Sequence, residues 1–149
     1  MSINPGLAAW HRVMAAGNLP DELAEIIAPD AVFHSPVVHT PQVGREKVVA
    51  YLSAAGQVFA NSKFAYVREL VDGHEACLEF TAEIDGIRIN GIDLIAFGPD
   101  WLIRDFKVMV RPLKAINKLW ELMAAQLETS KAYPNPQPDR THSLTEPKA

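Results

Sequence analysis

One long stretch in the second half of the chain alternates between apolar and polar residues. Residues 64–97 read FAYVRELVDGHEACLEFTAEIDGIRINGIDLIAF. Alternation with a period of two is typical of β-strands, because successive side chains of a strand point to opposite faces of its sheet. Asp72-Gly73 and Asp85-Gly86 interrupt the alternation, and Asp-Gly pairs favour the tight turns of β-hairpins. The stretch therefore predicts an antiparallel meander, which residues 102–110 continue after Gly98-Pro99-Asp100.

The residues outside this stretch show helical periodicity. Apolar residues at spacings of three and four predict helices over residues 5–17, 20–27, 45–60 and 113–127. A short strand over residues 31–34 and a loop as far as Gly44 are expected between the second and third helices. In the first strand of the meander, Phe64, Tyr66, Arg68 and Leu70 alternate with their neighbours. These elements together predict an α+β domain over residues 5–128.

Composition restricts the classes of function. The 149 residues carry 14 Lys and Arg against 18 Asp and Glu, a net charge of -4. This charge gives no basic surface for nucleic acid or anionic membranes, so neither is an expected partner. Cys77 is the single cysteine, which excludes an internal disulfide and a multi-thiolate zinc site. The first residues show no basic segment followed by an apolar core, and the cytoplasm is the expected compartment.

The last part of the sequence, residues 129–149, loses all periodicity. It contains four prolines, which disfavour helices and central strands. Two interpretations remain open for this proline-rich tail: a disordered end, or an extended arm across a partner subunit.

Asp93 breaks the pattern of the most apolar predicted strand. The strand over residues 87–97 places it on one face with Ile89, Gly91 and Ile95, as the only charge on that face. The other face becomes apolar towards the end of the strand, so Asp93 is expected to be buried, and burial raises the pKa of a carboxyl group. Such a group suits a general acid or base. The alternative is a structural carboxylate bonded to a neighbouring Arg, His or Trp.

Other candidates for chemistry are weaker. His34 ends the first predicted strand and is a candidate base, because imidazole titrates near neutral pH. No spacing of histidines and carboxylates resembles a metal site, and phosphate-loop, nucleotide-binding and serine-nucleophile motifs are missing. No metal and no cofactor is therefore expected. One cationic cluster is either a solvated surface with ion pairs or an anion-binding rim centred on Arg111, and it consists of Arg104, Lys107, Arg111, Lys114 and Lys118.

The order of these elements resembles the nuclear transport factor 2-like superfamily, in its SnoaL-like and ketosteroid isomerase-like branch. Four segments carry the resemblance: residues 16–19, 28–33, 44–48 and 91–97, the last followed by a Gly-Pro-Asp turn. The resemblance covers residues 5–128. It implies a cone-shaped, curved antiparallel sheet wrapped around three N-terminal helices, with a further helix at the C-terminal end. It also implies a pocket inside the cone and a homodimer through the outer face of the sheet.

The resemblance also implies roles for particular residues. Asp93 matches the protonated aspartic acid of ketosteroid isomerases. Ser35 stands where their catalytic base would be, and Trp10 stands where their tyrosine would be. His34 is one position away and is the candidate substitute base. The catalytic residues implied are Asp93 and His34.

A mostly apolar ligand with one or two oxygen atoms is the expected partner of the implied pocket. Alignment and alternation predict the residues lining it: Trp10, Met14, His34, Tyr51, Leu78, Phe80, Asp93, Phe106, Val108 and Val110. Two functions remain open. One is a cofactor-independent isomerase or cyclase in which Asp93 transfers protons and His34 or Trp10 polarises a carbonyl. The other is a ligand-binding or dimerisation module without catalysis.

Overall fold

The computed structural model describes residues 4–130, and the predicted tail lies outside this range apart from its first two residues. Four helices and six strands make up the described part. In chain order they are α1 (Pro5–Ala15), α2 (Pro20–Ile26), β1 (Ile27–His34), β2 (Gln42–Val43), α3 (Arg45–Val58), β3 (Ala65–Asp72), β4 (Glu75–Ile84), β5 (Ile87–Phe97), β6 (Ile103–Arg111) and α4 (Leu113–Ser130). The predicted α+β class is confirmed.

The strands form one curved, unclosed sheet in the order β2-β1-β6-β5-β4-β3. Strands β3 to β6 are the predicted meander, and they pair with one another in antiparallel fashion. The pairing of β1 with β6 is parallel, which the expectation of a wholly antiparallel sheet missed. About 70 residues separate these two strands in the chain, so no tight turn dictates their relative direction.

A hairpin turn forms at each of the two Asp-Gly pairs, but only the second pair supplies both central residues of its turn. Asp72 pairs with Glu75, so Gly73 (φ 61°) and His74 join β3 to β4. Asp85 and Gly86 join β4 to β5 with φ 53° and 77°, and positive φ at both central residues is the geometry of the hairpin turn that matches the twist of a sheet. This second turn fixes the register in which Leu78 pairs with Asp93.

A β-bulge in β3 changes which face its residues occupy. Tyr66 pairs with Phe80 but Arg68 pairs with Glu79, so β3 advances by two residues where β4 advances by one. Beyond the bulge, Glu69 pairs with the buried Leu78. Tyr66 and Glu69 therefore share the face that carries Phe80 and Asp93, called the inner face below. Arg68 lies on the opposite, outer face, and the alternation of the sequence holds only as far as Tyr66.

The start of the sheet differs from the sequence prediction. Helix α2 ends at Ile26, and β1 begins at Ile27, four residues before the predicted strand. Pro29 and Asp30 are exposed within β1, where its pairing with β6 is irregular. A proline is tolerated there because it removes no regular ladder hydrogen bond. The two-residue strand β2 was not predicted.

The helices cover the inner face of the sheet. The main core includes Leu23, Ile27, Val48, Ile95 and Ile103, and a second cluster joins β4 and β5 to α4 through Phe80, Ile89, Ala115 and Leu119. In the described part of the chain, no helix is both long and apolar enough to cross a membrane.

Candidate functional site

A cavity of about 1010 Å³ lies between the inner face of the sheet and the helices. Helices α1, α3 and α4 form its upper walls, and residues of β1 and of β3 to β6 form its floor. Most of its surface is aromatic or aliphatic. The aromatic lining residues are Trp10, Phe33, Tyr51, Phe59, Phe64, Tyr66, Phe80, Phe106 and Trp120.

The floor of the cavity holds one buried carboxyl group. Asp93 lies on β5 between Leu78 of β4 and Val108 of β6, and only 6% of its surface is exposed. The Tyr66 hydroxyl donates a hydrogen bond of 2.5 Å to Asp93 Oδ2. Trp10 Nε1 in turn donates a hydrogen bond of 3.1 Å to the Tyr66 oxygen. A chain of two hydrogen bonds therefore runs from α1 through β3 to β5.

Burial controls the acidity of both groups. Burial raises the pKa of Asp93 to about 7, although the hydrogen bond from Tyr66 favours the carboxylate and opposes this effect. The pKa of Tyr66 is also raised, first by burial and then by the negative charge of Asp93. Near neutral pH, Asp93 is therefore present in both its protonated and its ionised form, while Tyr66 keeps its proton and remains a donor.

Gly91 makes room for the aromatic part of the floor. It pairs with Phe80 on β4, and a Cβ atom at Gly91 would lie 2.5 Å from Phe80 Cζ and 2.7 Å from the Met109 carbonyl oxygen. The Phe80 ring occupies the space that a side chain at position 91 would take. This explains a glycine inside an otherwise bulky strand.

Seven of the ten residues predicted to line the pocket lie at the cavity: Trp10, Met14, Tyr51, Phe80, Asp93, Phe106 and Val108. Leu78 is instead fully buried in the main core. Val110 packs against the second cluster.

His34 is not at the cavity either. Its neighbour Phe33 lines the cavity, so the alternation of β1 points His34 to the other face. There its Nε2 atom lies 2.9 Å from Asp105 Oδ1. The structure therefore does not bring His34 to Asp93, as the expectation of a substitute base requires.

The cationic cluster of residues 104–118 is divided among separate contacts. Arg104 pairs with Asp30, and Lys118 lies 3.1 Å from Asp85 Oδ2. Arg111 donates to Asn90 Oδ1 on the outer face of the sheet. These contacts favour the interpretation of a solvated surface with ion pairs. Among residues 4–129, no three His, Cys, Asp or Glu side chains form a group that could hold a metal ion.

Comparison with known families matches residues 7–106 to the SnoaL-like domain. This chain belongs to the SnoaL-like family. No curated protein matches the chain in sequence. Two solved structures are similar in both sequence and fold. A steroid delta-isomerase from Pseudomonas aeruginosa has 37% identity and a TM-score of 0.80, over 89% of this chain and 98% of that chain. An uncharacterised protein with a cystatin-like fold from Silicibacter pomeroyi has 32% identity and a TM-score of 0.77, over 83% of this chain and 86% of that chain.

A third structure shares only the fold with this SnoaL-like protein. It is an NTF2-like protein of unknown function from Mesorhizobium loti, with 21% identity and a TM-score of 0.62, over 72% of this chain and 91% of that chain. The family match, the steroid delta-isomerase structure and this shared fold together confirm the resemblance to the nuclear transport factor 2-like superfamily.

The SnoaL-like protein has site residues that sequence reasoning missed. Tyr66 is the most important, because it touches Asp93 directly. Helix α4 also lines the cavity, through Leu119, Trp120, Met123 and Leu127. The apolar stripe of α4 was visible in the sequence, but periodicity alone does not separate a helix that closes a cavity from one that packs on a core.

Ser35 lines the cavity of this SnoaL-like protein, at the position where the resemblance places a catalytic base. Its Oγ atom accepts hydrogen bonds from the backbone N–H groups of Val37 and Val38, at 3.0 and 3.3 Å. A serine held in this way shapes the loop after β1 and has no strongly basic group to offer. Among the described residues that line the cavity, the only carboxylate besides Asp93 is the exposed Glu128 of α4.

Proposed function

We propose that this SnoaL-like protein binds a small, mostly apolar carbonyl compound in the cavity and catalyses its isomerisation or cyclisation without a cofactor. One observation carries the proposal: a carboxyl group with a pKa of about 7 lies on an apolar floor, where a tyrosine hydroxyl donates to it. A general acid or base is most effective when its pKa lies near the working pH, because both protonation states are then available.

The proton transfer proceeds in two steps. Ionised Asp93 removes a proton from the carbon next to the carbonyl, and the electrons of that C–H bond move to the carbonyl oxygen as an enolate. Protonation of Asp93 weakens its attraction for the Tyr66 hydroxyl, which then donates to the enolate oxygen. In isomerisation, Asp93 returns the proton to a different carbon. In cyclisation, the enolate carbon attacks a second carbonyl of the same molecule, and the proton goes to the new alkoxide.

The expected role of Trp10 changes in this mechanism. Its Nε1 atom already donates to Tyr66, so Trp10 supports the donor and does not itself polarise the carbonyl. In this mechanism, the Tyr66 hydroxyl polarises the carbonyl. A tyrosine hydroxyl that receives one hydrogen bond and donates another is polarised in the direction of donation.

The substrate class follows from the cavity and from one relative. Aromatic walls and a single polar position suit a cyclic ketone with few polar groups. The Pseudomonas aeruginosa relative is a steroid delta-isomerase, which supports a β,γ-unsaturated cyclic ketone as the first compound to test.

The test compares Asp93→Asn with the wild type on a panel of such ketones, and follows formation of the conjugated product by its ultraviolet absorbance. Removing a general base lowers turnover by about 10² to 10⁴, so a fall of at least about 100-fold is expected. Asp105→Asn is the matched control, since Asp105 is a carboxylate on the neighbouring strand that contacts His34 and not the cavity. Equal turnover by Asp93→Asn and the wild type contradicts the proposal.

Ligand binding without catalysis is the second candidate function. The observation that favours it is Ser35, which leaves the cavity without a carboxylate at the position where the resemblance places the base. Mass spectrometry of small molecules that remain bound through purification tests it. A ligand that binds the wild type and Asp93→Asn equally, with no turnover by either, supports this candidate and excludes the first.

We also propose a homodimer through the outer face of the sheet. Leu94 and Met109 are 37% and 51% exposed there, and Ile92 and Ala96 lie on the same face. Ile103 of β6 is buried at its pairing with Phe97 and contributes nothing to that face. Sedimentation at micromolar concentration tests the dimer, and a monomer there contradicts it.

A further inference from the structure

A second set of contacts, which plays no part in the proposed chemistry, also surrounds the Tyr66 side chain. His11 Nε2 of α1 lies 2.7 Å from Glu69 Oε2 of β3, which is hydrogen-bond distance. The His11 ring also packs edge-on against the Tyr66 ring, with 5.8 Å between the ring centres and 74° between the planes. His11 directly follows Trp10, whose indole N–H donates to the Tyr66 oxygen. Two neighbouring residues of α1 therefore contact the same tyrosine.

The bulge in β3 creates this arrangement. Tyr66 lies three residues before Glu69 in β3, so with regular alternation the two side chains would lie on opposite faces of the sheet. The bulge between Tyr66 and Arg68 turns Glu69 to the inner face, where it pairs with Leu78 and reaches His11. Bulges often re-aim a side chain beside a functional site.

We propose that His11 and Glu69 are positioning residues that hold the Tyr66 hydroxyl against Asp93. The inference rests on the proposed function only in that it treats the Tyr66–Asp93 pair as the working site. The His11–Glu69 contact fixes α1 against β3 at the position of the Tyr66 ring, and so limits rotation that would carry the hydroxyl away from Asp93 Oδ2.

Stability alone does not account for this contact. Both side chains are more than one-third exposed, and an exposed contact of this kind contributes little to folding. Its position matters more, because a hydrogen bond weakens steeply once its donor turns out of line. The titratable groups that face Tyr66 are Asp93 from β5, Glu69 from β3 and His11 from α1.

The test measures the titration of Asp93 by NMR of the full chain labelled with ¹³C at the aspartate carboxyl carbons, without any ligand. Because the Tyr66 hydrogen bond favours the Asp93 carboxylate, loosening Tyr66 must raise the Asp93 midpoint. His11→Ala and Glu69→Ala are each expected to raise it by about 0.5 pH units, a threefold change in proton affinity. Glu69→Gln keeps an acceptor for His11 and is expected to shift the midpoint by less than half as much.

Arg68→Ala is the matched control. Arg68 also belongs to β3 and forms an ion pair with Glu79, but on the outer face and away from Tyr66. It is expected to leave the Asp93 midpoint unchanged. An unchanged midpoint in both alanine variants overturns the proposal, and so does an equal shift in Arg68→Ala. A shift in Glu69→Gln as large as that in Glu69→Ala also overturns it, since keeping an acceptor for His11 would then make no difference. Failure of the catalytic proposal is seen separately, as unchanged turnover in Asp93→Asn.

Discussion

Substitution of Asp93 by asparagine should change how the stability of the protein depends on pH. The pKa of Asp93 is raised from 3.8 to about 7 in the folded chain, because burial disfavours the carboxylate. An unfolded chain exposes the same group to water and loses its proton near pH 4. Between these two values the folded state binds more protons than the unfolded state, so wild-type stability must fall as the pH rises. Asparagine does not titrate, so the Asp93→Asn variant does not lose stability in this way as the pH rises.

The magnitude follows from proton linkage. From pH 5 to pH 7 the folded state retains a proton that the unfolded state has released, and each pH unit costs about 1.4 kcal/mol. The free energy of unfolding of Asp93→Asn, relative to the wild type, should therefore rise by about 3 kcal/mol between pH 5 and pH 8. Above the folded-state pKa of Asp93 the difference levels off, because Asp93 of the wild type is then ionised in both the folded and the unfolded state. In melting temperature this amounts to roughly 6–12 °C for a domain of this size.

Urea unfolding of both proteins at pH 5, 6, 7 and 8 measures this difference directly. Other titrating groups affect both proteins equally and cancel in the subtraction. Asp21→Asn serves as the control: it removes an exposed carboxylate of α2 that does not line the cavity, so the rise assigned to burial should be absent. A difference for Asp93→Asn that is the same at pH 5 and pH 8 would refute the reasoning, since Asp93 would then titrate as an ordinary carboxyl group.

Three further substitutions test other parts of the site. Tyr66→Phe removes the hydrogen bond that favours the Asp93 carboxylate, so the Asp93 midpoint in ¹³C NMR should rise above that of the wild type. Gly91→Ala places a Cβ atom against the Phe80 ring and the Met109 carbonyl oxygen, and should lower the free energy of unfolding in urea by about 1–3 kcal/mol through overpacking. Ser35→Asp adds a carboxylate to the cavity and should increase isomerisation of a β,γ-unsaturated cyclic ketone at least about tenfold over the wild type, followed by ultraviolet absorbance.

The sequence was sufficient to find Asp93 because its signal is local. A charge between apolar neighbours on both sides of a strand implies burial, and the turns that fix the strand are themselves readable as Asp-Gly pairs. The Asp85-Gly86 turn and the bounds of β5, Ile87–Phe97, agree with the prediction. The raised pKa of Asp93 also agrees, since it follows from burial alone.

Tyr66 could not be found in this way, because its position depends on a bulge. The sequence alternates without interruption through Tyr66, Arg68 and Leu70. Taken at face value, this pattern places a tyrosine on the same face as an arginine, which argues against a buried position. The bulge interrupts the alternation between Tyr66 and Arg68, and the residue types there do not predict a bulge.

His34 fails as a candidate for the opposite reason. Its phase on β1 is regular, and that regularity turns it away from the cavity that its neighbour Phe33 lines. The parallel pairing of β1 with β6 then places Asp105 within reach of it on the other face. Proximity in sequence to a functional position is therefore a poor guide on a strand, where the next residue faces the other way.

This chain departs from the ketosteroid isomerase pattern at Trp10 and at Ser35, and only the departure at Trp10 is compensated by another residue. Trp10 in place of a tyrosine removes a hydroxyl from α1, but Tyr66 supplies a hydroxyl from β3, and the Trp10 indole N–H supports it. A hydrogen-bond donor can be replaced from another strand because only the position of its hydrogen matters. The carboxylate that is missing at Ser35 is not replaced in this way. Of the described residues that line the cavity, Glu128 is the other carboxylate besides Asp93, but it lies on α4 and is exposed. Among the described residues, the proposed proton transfer therefore rests on Asp93 alone, and a pKa near 7 makes both of its protonation states available.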